Sequence, residues 1–148
     1  MKPDDWRLQP SAYPFRMDIA TRFGDLDRND HINNVAAAQL YEELRVRFAQ
    51  SVREAGSEDI SRWTHTVVAE VRISYLREMS YPAPISGGAG ILRLGNSSYQ
   101  LGCALFQHGQ CASICEVVLV CVEGGRSQPI PQPVRDKFSN WLIKAPGE

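Results

Sequence analysis

The sequence predicts an α+β domain in which a five-stranded antiparallel sheet curls around one long helix. Three observations predict it. An apolar/polar alternation precedes residue 24, one apolar stripe at helical spacing covers residues 37–55, and four more strand-like runs follow, separated by turn residues. An antiparallel sheet with an apolar face must cover that face, and only one segment is long enough to do so, so the sheet has to wrap that helix.

The first strand is expected over Tyr13–Phe23, where Tyr13, Phe15, Met17 and Ile19 alternate with Pro14, Arg16 and Asp18. Ala37, Leu40, Tyr41, Leu44, Phe48, Val52 and Ala55 recur at steps of three and four, marking the buried face of a helix that stops at Gly56. Asn33 or Asn34 caps its start, because an asparagine oxygen accepts from a first-turn amide that has no partner within the helix. From Trp63 to Tyr75 the period is two again, with Val67, Ala69, Val71, Ile73 and Tyr75 on the apolar side. Pro82 and Pro84 break that run. Ile91 and Arg93, the turn Gly95-Asn96, Tyr99–Phe106, the turn His108-Gly109 and Cys111–Val122 then read as a meander of three strands. After Pro129–Pro133, the amphipathic piece Val134–Ile143 predicts a short C-terminal helix.

At 148 residues, with no internal repeat or linker, the chain reads as a single domain over 1–148. A hydrophobic share of 43% and a net charge of -1 exclude a disordered chain, and the absence of a basic excess argues against nucleic acid as partner. The opening MKPDDWRLQP has no apolar signal core, and no window reaches the ~18 apolar residues of a membrane span. A cytoplasmic protein with no membrane contact is therefore expected. Cys103, Cys111, Cys115 and Cys121 lie in apolar strand-like runs without a C-x-x-C pair, so they are expected to be buried free thiols, with no metal bound. A sheet of this kind has open edges, which predicts pairing with another copy, as a homodimer or a dimer of dimers.

The chemistry concentrates in residues 24–34, GDLDRNDHINN. Asp25, Asp27 and Asn29 alternate as in a calcium loop, but the sixth position needs a glycine and the twelfth a bidentate glutamate. Those positions hold Asp30 and Ala36, which excludes an EF-hand. Aspartate and asparagine before a helix also make Asx-turns and caps unaided, so a purely structural reading competes with a catalytic one at every residue here. Asp25 is expected to fix the turn, and His65 and His108 are given no chemistry. Leu40, Tyr41 and Leu44 are read as core, the commoner fate of such a stripe, ahead of a substrate tunnel.

This order of elements, with its aspartate loop, resembles the hotdog fold, and the loop is similar to that of thioesterases of the 4-hydroxybenzoyl-CoA thioesterase-like group. Their motif F-G-D-x-D is matched by Phe23-Gly24-Asp25-Leu26-Asp27. The acyl-ACP thioesterases of plants carry D-x-N-x-H-V-N-N-V, which resembles Asp27-Arg28-Asn29-Asp30-His31-Ile32-Asn33-Asn34-Val35, and a Y-R-R-E motif that Tyr75-Leu76-Arg77-Glu78 resembles. The plant enzymes have two such domains and a transit peptide, whereas this chain has one domain, so a bacterial-type acyl-CoA thioesterase is the nearer likeness.

The resemblance implies an acyl-CoA or acyl-ACP thioesterase that needs no cofactor. Asp27, Asn29, His31 and Glu78 are implied as catalytic, and Asn34 and Val35 of the same motif as substrate-binding; the Ser97-Ser98 pair is also placed at the substrate, as polar groups that could cradle a pantetheine or phosphate, with a plain turn role the commoner fate of such a pair. Asp27 acts either as general base toward water or as nucleophile, with helix N-terminal amides polarising the carbonyl. Hotdog hydratases place a histidine five residues beyond their aspartate in G-D-x-N-P-x-H. Here His31 lies six beyond Asp25 and four beyond Asp27, and the proline is missing, which leaves enoyl-CoA hydration as an alternative. A non-catalytic acyl-CoA-binding module of the same fold is a further one.

Overall fold

Asn33 starts the long helix. Its side-chain oxygen accepts the Val35 N–H at 2.8 Å and its carbonyl accepts the Ala37 N–H, so of the two candidate caps Asn33 is the one used. The computed structural model describes residues 4–54 and 65–145, and in it helix α1 runs Asn34–Glu54. At 21 residues it is about 31 Å long by the rise per residue. The Gly56 stop and the start of the next strand at Trp63 lie outside the described residues.

Before α1 come two short 3₁₀ turns (Asp5–Leu8, Pro10–Ala12), strand β1 (Phe15–Ile19) and a third 3₁₀ turn (Phe23–Asp25). After it come β2 (Thr66–Tyr75), β3 (Ile85–Leu94), β4 (Ser98–Gln107), β5 (Gln110–Glu123), a two-residue β6 (Arg126–Ser127), helix α2 (Gln132–Phe138) and a last 3₁₀ turn (Ser139–Trp141). The antiparallel sheet has the order β1-β3-β4-β5-β2, with β6 paired to the end of β5. The C-terminal helix is shorter than Val134–Ile143 because the chain leaves it at Phe138. Leu142 then bridges to Ile91, and Ile143 donates to the Ile91 carbonyl.

The predicted stripe of α1 is the stripe that is buried. Ala37, Leu40, Tyr41, Leu44, Phe48 and Val52 pack onto the inner face of the sheet, made by Ala89 and Ile91 of β3, Leu101, Cys103 and Leu105 of β4, and Cys115, Val117 and Leu119 of β5. All four cysteines are buried and unpaired. The opposite face is covered by the chain's own ends. Tyr13 packs there against Phe106 and Ile114, with Trp6, Leu8 and Ile143 around it. Arg7 clasps Glu116 at 2.6 Å, and Lys144 donates to the Ala12 carbonyl.

Strand β1 is also shorter than the expected Tyr13–Phe23, and two further features depart from the sequence expectation. Strand β3 begins at Ile85, six residues before Ile91, because its glycines sit where other side chains must come close. A Cβ on Gly88 would lie 2.8 Å from Tyr13 Cγ, and one on Gly90 would lie 2.7 Å from Ile143 Cγ1. Strand β2 alternates as expected from Val71 onward, but the described residues cover its apolar side only in part. A bulge between Val68 and Glu70 turns Val68 to the same face as Val71, Ile73 and Tyr75, and Val68, Val71 and Tyr75 remain 46%, 48% and 50% exposed. Among the described residues β2 is the last strand in the sheet, and none of them pairs with its outer backbone edge.

Candidate active site

The segment between the first strand and α1 is a tight loop closed on itself. Leu26 and Ile32 form an antiparallel bridge, the Asp27 N–H donates to the His31 carbonyl at 2.9 Å, and Asp30 takes a left-handed φ of 60° that asparagine and aspartate tolerate best. One carboxylate oxygen of Asp27, Oδ1, accepts the N–H groups of Asn29 (2.8 Å) and His31 (3.2 Å). Asp27 thus does the structural work expected of an Asx-turn while its other oxygen, Oδ2, takes no bond among the described residues.

Asp25 fixes the loop from behind. It is 3% exposed, binds the Arg22 guanidinium at 2.9 Å and the Arg22 N–H at 3.1 Å, and its carbonyl accepts the Asn33 N–H at 2.7 Å. The hydrogen bond to Asp25 and its charge raise the Arg22 guanidinium further above its ordinary value.

The other wall of the site follows β2. The Ile32 N–H donates to the Met79 carbonyl at 2.8 Å, and the Tyr75 hydroxyl to the Asn34 carbonyl at 3.2 Å, so the 75–79 segment is stitched to the helix start. His31 Nε2 lies 2.9 Å from Glu78 Oε2. Together these residues surround a cavity of about 400 Å³ lined by Asp27, Asn29, His31, Ile32, Asn34, Tyr75, Leu76, Arg77, Glu78 and Met79. The four residues expected to be catalytic and Asn34 therefore share one cavity at the first residue of α1. With the Val35 amide taken by its cap, the Asn34 amide is the first-turn donor at this cavity that has no partner among the described residues.

Val35 stands apart, exposed on the far side of the helix start, beside Arg22 and Gly24. Ser97 and Ser98 lie at the other end of the sheet. Ser98 pairs with Val120 and Tyr75 with Ser113 on the same strand, seven residues apart, or about 23 Å along it. One supporting residue escaped the sequence reading. Buried Gln107 accepts the Ser80 N–H and donates to the carbonyls of Ser80 (2.8 Å) and Ala83 (3.0 Å), pinning the loop that follows Glu78. A lone glutamine at a strand end carries no signal of that task.

A family model described as Thioesterase-like superfamily matches residues 21–142, which runs from the loop before α1 to the C-terminal turn. The chain belongs to this superfamily. Among solved structures, a thioesterase from Thermus thermophilus, complexed with coenzyme A and Zn, is 31% identical, with 87% of this chain and 94% of that one covered and a TM-score of 0.76. A protein from Pseudomonas aeruginosa is 30% identical over 92% of this chain and 96% of its own, with a TM-score of 0.76. A predicted thioesterase from Bacillus stearothermophilus is 26% identical over 88% and 98%, with a TM-score of 0.77. No curated protein matches the chain. Here, among the described residues, no group of three or more His, Cys, Asp or Glu is placed to hold a metal ion, and no helix is long and apolar enough to cross a membrane.

Proposed function

We propose that this chain hydrolyses an acyl-CoA thioester in the cytoplasm, with Asp27 as the group that acts on the carbonyl carbon. The observation that carries the reading is the single cavity shared by Asp27, Asn29, His31, Glu78 and the first residue of α1. A relative solved with coenzyme A supports the carrier. The carbonyl oxygen sits toward the Asn34 amide, where the helix dipole favours a developing negative charge. Asp27, held by two amides through Oδ1, works through Oδ2. It takes a proton from the water that attacks the carbonyl, the tetrahedral oxyanion collapses and the C–S bond breaks, and the proton held by Asp27 is relayed through His31 and Glu78 to the departing thiolate, which leaves Asp27 ionised again. Asn29 holds the water or the carbonyl by its amide.

A panel of short, medium, long and aromatic acyl-CoAs with free-thiol detection tests the reading, run on the native protein and on Asp27→Asn. Thiol release that vanishes in the variant supports it. Tight binding with no release in either protein, or hydration of an enoyl-CoA, would replace it with the sensor or hydratase reading. Label found in Asp27 after a single turnover in ¹⁸O-water would identify the anhydride route, since general-base attack by water puts the label in the acid product alone.

The working unit is a homodimer paired along β2. The support is the outer edge of β2, unpaired among the described residues, together with its half-exposed Val68, Val71 and Tyr75, a combination that monomeric proteins avoid. Val71→Lys places a charge in that stripe, and sedimentation velocity should then report a monomer. An unchanged dimer would put the interface elsewhere.

A further inference from the structure

Gln107 ends β4 and pairs with Gln110 across the His108-Gly109 turn. Both turn residues take a positive φ, 54° and 74°, as the tightest hairpin connection requires, so the backbone that carries the Gln107 side chain is held firmly. That side chain is 6% exposed and uses both of its polar atoms on another segment. Oε1 accepts the Ser80 N–H at 2.8 Å, and Nε2 donates to the carbonyls of Ser80 (2.8 Å) and Ala83 (3.0 Å). Among side chains of this length only glutamine offers one acceptor beside two donors.

The segment it grips carries Glu78. On one side, the Leu76 and Arg77 amides both donate to the Ala112 carbonyl of β5, at 2.9 and 3.0 Å. On the other, Gln107 takes Ser80 and Ala83, and the Thr21 hydroxyl adds a second donor to the Ala83 carbonyl at 3.2 Å. Glu78 and Met79 lie between these two anchors. Met79 is buried and its carbonyl accepts the Ile32 N–H at 2.8 Å, while the Glu78 side chain, 73% exposed, reaches His31 Nε2 at 2.9 Å. An exposed carboxylate has little packing of its own to hold it, so the position of its backbone decides where it points.

We propose that Gln107 is a positioning residue for the reaction: by fixing Ser80 it sets the reach of Glu78 to His31 and the seat of Ile32 on Met79. It does not line the Asp27 cavity, so it acts without touching the substrate. A misplacement of about 1 Å at a group that works in the transition state costs about 10²-fold in rate, whereas substrate binding is spared when the cavity wall is unchanged. The effect on rate rests on the hydrolysis proposed above, and the link from Gln107 to Ile32 is also read without turnover.

Gln107→Met keeps the length and removes all three bonds, and Gln107→Asn keeps the amide one carbon shorter. By thiol release, kcat should fall about tenfold or more in Gln107→Met with KM within about twofold of native, and Gln107→Asn should recover part of the loss. In a Glu78→Gln background, Gln107→Met should cost less than about twofold, because both changes disable the same group. Amide exchange followed by NMR should show Ser80 and Ile32 exchanging about tenfold faster in Gln107→Met, with Leu76 and Arg77, held by Ala112, at native rates. Thermal melts accompany every variant, and should Gln107→Met not fold, Gln107→Asn carries the same measurements with smaller losses. Native kcat in Gln107→Met, equal fold losses in the native and Glu78→Gln backgrounds, or unchanged Ile32 exchange would each overturn the proposal. Faster Ile32 exchange in a chain that releases thiol from no acyl-CoA would uphold the anchor and count against the hydrolase reading alone.

Discussion

Replacing Asp27 separates its two jobs, because asparagine can do one of them and alanine neither. In Asp27→Asn the side-chain oxygen still accepts the Asn29 and His31 amides, at 2.8 and 3.2 Å in the native loop. The turn therefore survives and the melting temperature should stay within about 1 °C. In Asp27→Ala both bonds go. Each is worth about 0.5–1.5 kcal/mol, and on a loop this open to water the low end applies, giving about 1 kcal/mol in total. For a chain of this length that lowers Tm by about 2–4 °C. Loss of a positioned base costs about 10²–10⁴ in rate, or about 3–5 kcal/mol of transition-state stabilisation, and it should appear in both variants alike. The assay is kcat and KM by thiol release, beside thermal melts of the same preparations. An Asp27→Asn protein that melts normally and keeps kcat within tenfold of native would refute the catalytic assignment and leave Asp27 as a turn-maker.

Glu78→Gln keeps a neutral partner for His31 but removes the charge. Both side chains are partly exposed, so stability should change by less than about 0.5 kcal/mol in urea titration while kcat falls and KM holds. Gly88→Ala pushes a methyl group to 2.8 Å from the Tyr13 ring and should cost about 1–3 kcal/mol by denaturant unfolding, without touching KM. Alkaline pH should destabilise the fold. Burial raises the Cys115 thiol and the Tyr99 hydroxyl to about 12 and lifts Cys103 further, so the unfolded chain loses these protons first, from about pH 9 upward. Stability is then full below that pH and falls as pH rises toward 12, by up to ~1.4 kcal/mol per pH unit for each thiol in its titrating range. Tm measured from pH 7 to 11 should be flat and then drop, and Cys115→Val should make the drop shallower.

The elements governed by local periodicity were legible in the sequence. Leu40, Leu44, Phe48 and Val52 declared the buried stripe of α1, and the loop around Asp27 matches a family motif residue by residue. What stayed hidden depends on contacts distant in sequence. The Gly87-Gly88-Ala89-Gly90 run looks like a poor strand by propensity, and it is one because Tyr13, Pro14 and Ile143 need the room. Ser97 and Ser98 make a plausible polar turn, but only the pairing of β4 with β5 reveals that this turn lies at the opposite end of the sheet from Tyr75. The bulge after Val68 changes which valines share a face, and a residue-by-residue alternation cannot foresee it. Gln107 acts through three backbone groups on a loop some 25 residues earlier, which no local pattern encodes.

The meeting of Ala12 and Lys144 over the sheet, on the side away from α1, has a practical consequence. A label placed on the exposed Asp5, in the turn that packs on the face of the sheet away from α1, leaves the Asp27 cavity clear.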